Sequence, residues 1–132
     1  MSQKLMEIPD IKLIQLQYES DTWKRLLEFM QNENIHFKYL LSDVVKINLD
    51  KQVLEQLEDF QNNFIMDDDL ISVLRKEIVE LNKLLEAEKV DDGDIKGKIE
   101  IKMKSIRDNV NHAEKQFSLL KSAFISFLSE NI

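Results

Sequence analysis

Hydrophobic side chains recur at alternating spacings of three and four residues in two long stretches, residues 53–85 and 99–127. This spacing averages 3.5 residues, so the side chains stay on one face of an α-helix, and that face must be buried against partner helices. The first stretch contains one acidic exception, Asp67. The pattern therefore predicts two long, packed helices. The positions that define it are Val53, Leu57, Phe60, Phe64, Asp67, Ile71, Leu74, Ile78, Leu81 and Leu85, followed by Ile99, Met103, Ile106, Val110, Ala113, Phe117, Leu120, Phe124 and Phe127.

The second helix of the chain is predicted over residues 51–89 and the third over residues 95–129. Three consecutive aspartates at 67–69 complicate the second helix, because short acidic side chains compete for backbone hydrogen bonds and can cap a restarted helix. The apolar register nevertheless passes this point without a phase shift, which favours one continuous helix. A bend near Asp67, which would give a four-helix count, is the alternative.

The first helix is predicted to begin at Ser20 or Asp21, since either side chain can cap the first turn. It ends around residue 48, and Asp50 then caps the next helix. Together the three segments predict an all-α protein, an antiparallel bundle of three long helices in which the second and third form an extended coiled-coil hairpin. The apolar stripe of the first helix contains Trp23, Leu26, Leu27, Met30, Phe37, Leu40, Leu41, Val44 and Val45.

The N-terminal segment, residues 1–18, is harder to assign. Its apolar residues, including Ile11 and Leu13, fit either a period of two or a loose helical face, and Pro9 disfavours a helix through the residue before it. We interpret this segment as an apolar arm that packs on the bundle or on a neighbouring subunit. Residues 19–132 then form a single helical domain.

A first helix that starts near Ser20 is shorter than the hairpin by roughly ten residues. The distal hairpin, around residues 72–110, would then lack a third helix, and its apolar side chains would be half exposed. Either the arm docks there or the protein dimerises, and we expect a homodimer. In that case Leu81→Asp dissociates the oligomer and leaves the fold intact. The candidate interface, with two apolar positions near the C-terminus added, is Ile78, Leu81, Leu85, Ile99, Met103, Leu119 and Ile125.

Composition agrees with a helical protein that has its own core. Hydrophobic residues make up 43% of the 132 residues and charged residues 33%, with only two glycines and one proline. The absence of cysteine excludes disulfides and thiolate metal sites and is compatible with a reducing compartment. The N-terminus lacks the features of a signal peptide, and every 18-residue window carries charge. We therefore expect a cytoplasmic protein without membrane insertion.

The formal net charge of −7 makes nucleic acid an unfavourable partner, because nucleic-acid affinity depends largely on clustered Lys and Arg that neutralise phosphates. One basic stretch, residues 96–107, is a local exception. An antiparallel return from the turn near residue 91 would place it beside the glutamates of residues 77–88. We interpret it as charge complementarity within the bundle rather than as an anion site.

Two residues of the first helix, Glu33 and His36, have the Glu-x-x-His spacing of di-metal carboxylate bundles. Such sites need a second copy of this motif, but the other histidine, His112, is preceded at the required position by Asn109. The predicted helix pairing also separates the two histidines by about 15 Å along the bundle. A metal ion or other cofactor is therefore not expected.

Glu33 and Asn34 interrupt the apolar stripe of the first helix, and the predicted pairing places Asn62 or Asn63 at the same level. Buried polar residues can fix the register or oligomeric state of packed helices. An alternative is that Glu33 and Asn34 point outward while their apolar neighbours span the gap. The candidate polar layer comprises Glu33, Asn34, Asn62, Asn63 and Asp67.

No nucleophile, phosphate-binding loop or cofactor motif accompanies these residues. The sequence therefore favours a non-enzymatic helical scaffold or adaptor that acts through protein–protein interaction with an unidentified partner and self-associates. The alternative is a metal-binding helical-bundle enzyme or sensor that uses Glu33 and His36. A chaperone-like binder of a basic partner is a third possibility, supported only by the net charge.

Overall fold

Three long helices account for almost all of the computed structural model. They are α1 (Ser2–Val44), α2 (Lys51–Glu88) and α3 (Gly93–Asn131). The structure describes the backbone of residues 2–47, 49–88 and 93–132 and the side chains of residues 12–47, 49–87 and 96–132. Within these ranges no strand occurs, so the predicted all-α class is confirmed.

The helices run up, down and up, with α2 antiparallel to both others. Side-chain pairs across the bundle establish these directions, because the residue numbers rise on one helix as they fall on an antiparallel neighbour. The backbones of α1 and α3 approach each other closely at fewer positions than either approaches α2. Between α1 and α2 the pairs are Ser20 with Asn82 and Lys38 with Asp68. Between α2 and α3 they are Glu80 with Lys102 and Phe64 with Phe124. Between the parallel helices α1 and α3 they are Glu19 with Arg107 and Glu33 with Lys121.

Aromatic side chains fill the end of the core where α1 ends and α2 begins. Phe124 of α3 lies at the centre, with ring centroids 5.7 Å from Phe37, 5.1 Å from Phe60 and 5.2 Å from Phe64. Phe127 extends the cluster by a contact with Phe60 at 5.3 Å. Every member comes from a predicted apolar stripe, so the heptad pattern identified this part of the core correctly.

The second helix is continuous through the three aspartates at 67–69, as the unbroken register predicted. Its start also follows the prediction, since the Val53 amide donates a hydrogen bond to the Asp50 carboxylate at 3.0 Å. The alternative of a bend that divides α2 into two helices is wrong. The described part of the chain is a three-helix bundle.

The predicted start of the first helix is wrong, because α1 begins at Ser2 and runs through Pro9. Ser20 does not cap a helix; its hydroxyl is buried and donates to the Asn82 side chain at 2.9 Å. Leu13 and Leu16 pack against the core. Burial of an amphipathic face contributes most of the stability of helices in proteins, and here it outweighs the local preference for a break.

Because α1 extends this far, it covers the distal hairpin that a shorter first helix would leave open. The five candidate interface residues there are therefore buried, and the expectation that they form a half-exposed seam is wrong. Residues 2–18, interpreted from sequence as an arm, belong to the same helix as residues 19–44. The buried residues are Ile78, Leu81, Leu85, Ile99 and Met103.

Candidate functional site

A polar cluster lies in the middle of the interface between α1 and α2. Asn34 of α1 is 0% exposed, and its Nδ2 donates to the carboxylate of Asp67 at 2.6 Å. The same nitrogen donates to Asp68 at 3.2 Å. Asp67 is 7% exposed, so both partners of the shorter bond are buried. Two of the predicted polar-layer residues are thus brought together across the helices.

The outer part of the cluster is charged. Lys38 lies one turn after Asn34 on α1 and forms an ion pair with Asp68. This pair is partly exposed, so solvent screens it more than it screens the buried Asp67. Asp68 therefore has a cation beside it, whereas the nearest polar group to Asp67 is the neutral Asn34 amide.

Burial raises the pKa of Asp67 above its ordinary value, because the charged form loses hydration. The hydrogen bond from Asn34 opposes this shift by favouring the carboxylate, while the negative charge of Asp68 reinforces it. Burial is the largest of the three causes, so the net direction of the pKa shift is upward. Asp67 is the buried acid of the bundle within the described residues.

Asn62 and Asn63 are exposed and do not lie opposite Asn34. The observed pairing of Asn34 with Asp67 differs from the predicted level by about five residues, or on the order of 7 Å along α2. The prediction assumed that α1 ends and α2 begins at the same level of the bundle. The first turns of α2 instead extend beyond the end of α1, so that Asp67 replaces Asn62 or Asn63 in this layer.

Glu33, the remaining predicted member, faces α3 instead of α2. Its carboxylate accepts a hydrogen bond from the Lys121 ammonium at 2.8 Å. His36 is exposed, and the parallel register of α1 and α3 leaves it far from His112 along the bundle. The described residues contain no group of three or more His, Cys, Asp or Glu side chains that could hold a metal ion.

A second polar contact between α1 and α2 was missed from the sequence. Ser20 donates to Asn82 at 2.9 Å, and Gln17 approaches the same oxygen at 3.4 Å. Ser20 precedes Asn34 by two heptads and therefore occupies the same position in the α1 stripe. Extending the heptad pattern towards the N-terminus would have identified it.

Ion pairs flank the core on its outer edges. Lys102 contacts Glu77 at 2.8 Å and also binds Glu80, in agreement with the predicted charge complementarity between α2 and α3. Arg107 instead reaches α1, where it makes two hydrogen bonds to Glu19 at 2.6 and 3.0 Å. These carboxylates raise the pKa of both Lys102 and Arg107 by stabilising the charged forms.

The other two candidate interface residues remain on the surface, with Leu119 72% and Ile125 47% exposed. They are six residues apart, so at about 100° per residue they lie on different sides of α3. Ile125 is one turn after Lys121 and therefore lies beside the groove between α1 and α3. Leu119 lies on an outer face of the same helix.

Comparisons with protein-family models, curated proteins and solved structures found no match to this chain. Within the described residues, none of the helices has the length and hydropathy needed to span a membrane.

Proposed function

We propose that this protein is a non-enzymatic helical scaffold or adaptor that acts through protein–protein interaction and self-associates as a homodimer. Three of the polar side chains that the sequence singles out, Glu33, Asn34 and Asp67, are bonded between helices. Asn34 and Asp67 form one such pair, and Glu33 and Lys121 form another. This arrangement supports a structural role for them.

The observation that carries the proposal is an apolar surface along the groove between α1 and α3. Phe29, Leu40 and Ile125 are exposed, and helical spacing places them on the same side of their helices as the ion pair of Glu33 and Lys121. Phe29 lies one turn before Glu33, Leu40 two turns after it, and Ile125 one turn after Lys121, so all lie on the groove side of their helices. We call these five residues the α1–α3 surface.

Two further contacts join Phe29 of α1 to α3. The ring centroids of Phe29 and Phe117 lie 6.3 Å apart with the rings nearly perpendicular, and the Lys121 ammonium lies 6.0 Å from the centre of the same Phe29 ring. The backbones of α1 and α3 also approach each other closely at fewer positions than those of the other two helix pairs. Exposed apolar groups rimmed by polar residues are typical of protein-interaction sites.

A second copy of the chain is the partner that this surface fits best. A two-fold axis brings the same residues of both copies together, and the α1–α3 surface carries one acidic and one basic side chain beside its apolar residues. Each copy therefore offers both partners of an ion pair. The net charge of −7 disfavours nucleic acid as a ligand, and a cytoplasmic location remains our proposal.

Ile125→Asp is expected to abolish self-association, because it places a charge within the apolar surface that the dimer would bury. Light scattering on a sizing column, across a concentration series, measures this directly. The wild-type protein should approach twice the chain mass of 15.6 kDa, while the variant stays at the chain mass with unchanged helical circular dichroism.

Leu119→Asp is the matched control, since it makes the same change on an exposed leucine of the same helix, on a different side. It should leave the mass of the dimer unchanged. Dissociation by Leu119→Asp alone would place the interface on the outer face of α3. A wild-type protein that stays at the chain mass at every concentration would contradict self-association.

A further inference from the structure

The amide oxygen of Asn34 is buried, and no donor among the described residues reaches it. The nitrogen of the same amide donates to two carboxylates, so the donor of this amide has partners while its acceptor has none. A buried acceptor without a partner is destabilising, because it has lost its hydration and gained no hydrogen bond in return. When both aspartates are ionised, the polar cluster therefore contains no hydrogen-bond donor for the Asn34 oxygen.

An ionised carboxylate can only accept hydrogen bonds, whereas a protonated carboxyl group also donates one. An amide and a protonated carboxyl group are complementary, because each donates to the oxygen of the other in a closed pair. Asn34 and Asp67 already make half of this pair, through the 2.6 Å contact between Nδ2 and a carboxyl oxygen. A proton on the other carboxyl oxygen would supply the missing donor.

We propose that Asn34 and Asp67 form a proton-dependent clasp between α1 and α2, which closes with two hydrogen bonds when Asp67 is protonated and retains one when it is ionised. The clasp joins the two helices at the middle of their contact, so its protonation state sets how strongly α1 is held on α2. This inference is independent of the proposed self-association.

The groups around the clasp favour the neutral acid. On α2, the negative charge of Asp68 opposes ionisation of Asp67. The charged groups that α1 directs towards its neighbours at this level are Lys38, which pairs with Asp68, and Glu33, which pairs with Lys121 of α3. Each nearby cation thus has its own carboxylate, and Asp67 has none to stabilise its charge.

The direction of the pH dependence follows from the raised pKa of Asp67 in the folded protein. Below the ordinary aspartate pKa of 3.8, both folded and unfolded chains carry the proton, and the contribution of the clasp is fully present. As the pH rises through the folded pKa, the folded protein loses this proton and with it the contribution. The clasp is therefore weakest at neutral pH.

Asp67→Asn tests the proposal, because a side-chain amide has nearly the same shape and supplies the N–H donor at every pH. The variant should unfold at a temperature about 3–8 °C above wild type at pH 7. This difference should shrink as the pH falls and disappear below about pH 4, where wild-type Asp67 carries its own proton. Thermal unfolding followed by circular dichroism between pH 3.5 and 8 provides the measurement.

Asp69→Asn is the matched control, since it removes an exposed carboxylate two residues away on the same helix. It should not show this pH-dependent gain. In an Asn34→Ala background, Asp67→Asn should lose the part of its gain that comes from the unpaired oxygen, as a double-mutant cycle measures.

A carbon-13 NMR titration of the Asp67 carboxyl group is the second readout, and it should give a pKa above the ordinary aspartate range. An ordinary or lowered pKa would overturn the proposal. So would an Asp67→Asn variant that is less stable than wild type at pH 7, or one whose gain does not change with pH. A buried water that satisfied the Asn34 oxygen would remove the part of the gain that comes from this oxygen, and a variant without any gain at pH 7 would also overturn the proposal.

Discussion

Phe124→Ala is expected to lower the free energy of unfolding by about 3–5 kcal/mol, the usual cost of truncating a buried phenylalanine. Phe124 is fully buried and contacts Phe37 of α1 together with Phe60 and Phe64 of α2. Its loss therefore leaves a cavity where all three helices meet. Chemical denaturation should report the change as a lower midpoint with a similar slope, and the melting temperature should fall by about 10–20 °C.

Two variants calibrate this result. Phe124→Leu keeps most of the buried volume and should cost clearly less than the alanine variant. Phe29→Ala removes a ring that is half exposed and contacts Phe117 and Lys121, so its cost to folding of the single chain should stay clearly below that of Phe124→Ala. Equal costs for Phe124→Ala and Phe29→Ala would mean that Phe124 is not at the junction of the helices.

The core at Phe124 could be predicted because heptad spacing alone determines which side chains share a helix face. Leu81, Ile99 and Met103 were identified on the same basis, and all are buried. The spacing says nothing about which element covers a face. That information depends on the length of α1, and the local signals at Pro9 and Ser20 indicated a shorter helix than packing produces.

The polar layer shows a second limit of sequence reasoning. Asn34 and Asp67 were recognised as interruptions of apolar stripes, and each is indeed buried. Their pairing was not predicted, because it depends on how far α2 is displaced along its axis relative to α1. A shift of about five residues is enough to exchange Asn62 for Asp67. The ion pair of Lys38 with Asp68 depends on the same shift and was missed for the same reason.

Leu81→Asp is expected to destabilise the fold, in contrast to the dissociation without unfolding that a shorter first helix would predict. Leu81 is fully buried, and its neighbour Asn82 is already bonded to Ser20. A carboxylate placed there loses its hydration, and the core loses the packing contacts of the leucine. The combined loss is about 5 kcal/mol or more, which approaches the whole stability of a domain of this size. Denaturant titration at pH 7 should therefore find the variant largely unfolded.

Two controls separate the charge from its location. Lys83→Asp introduces a carboxylate two residues away on the exposed face of α2 and should stay within about 1 kcal/mol of wild type. Leu81→Asn has the size of the acidic variant without its charge. Because asparagine does not titrate, the stability of this variant should lack the pH dependence that a buried acid produces. Burial raises the folded pKa of the introduced carboxyl group, so Leu81→Asp should regain stability relative to Leu81→Asn as the pH falls through this raised pKa towards the ordinary aspartate value of about 3.9. A folded Leu81→Asp variant with half the wild-type solution mass would show instead that this face binds a second chain and that α1 does not cover it.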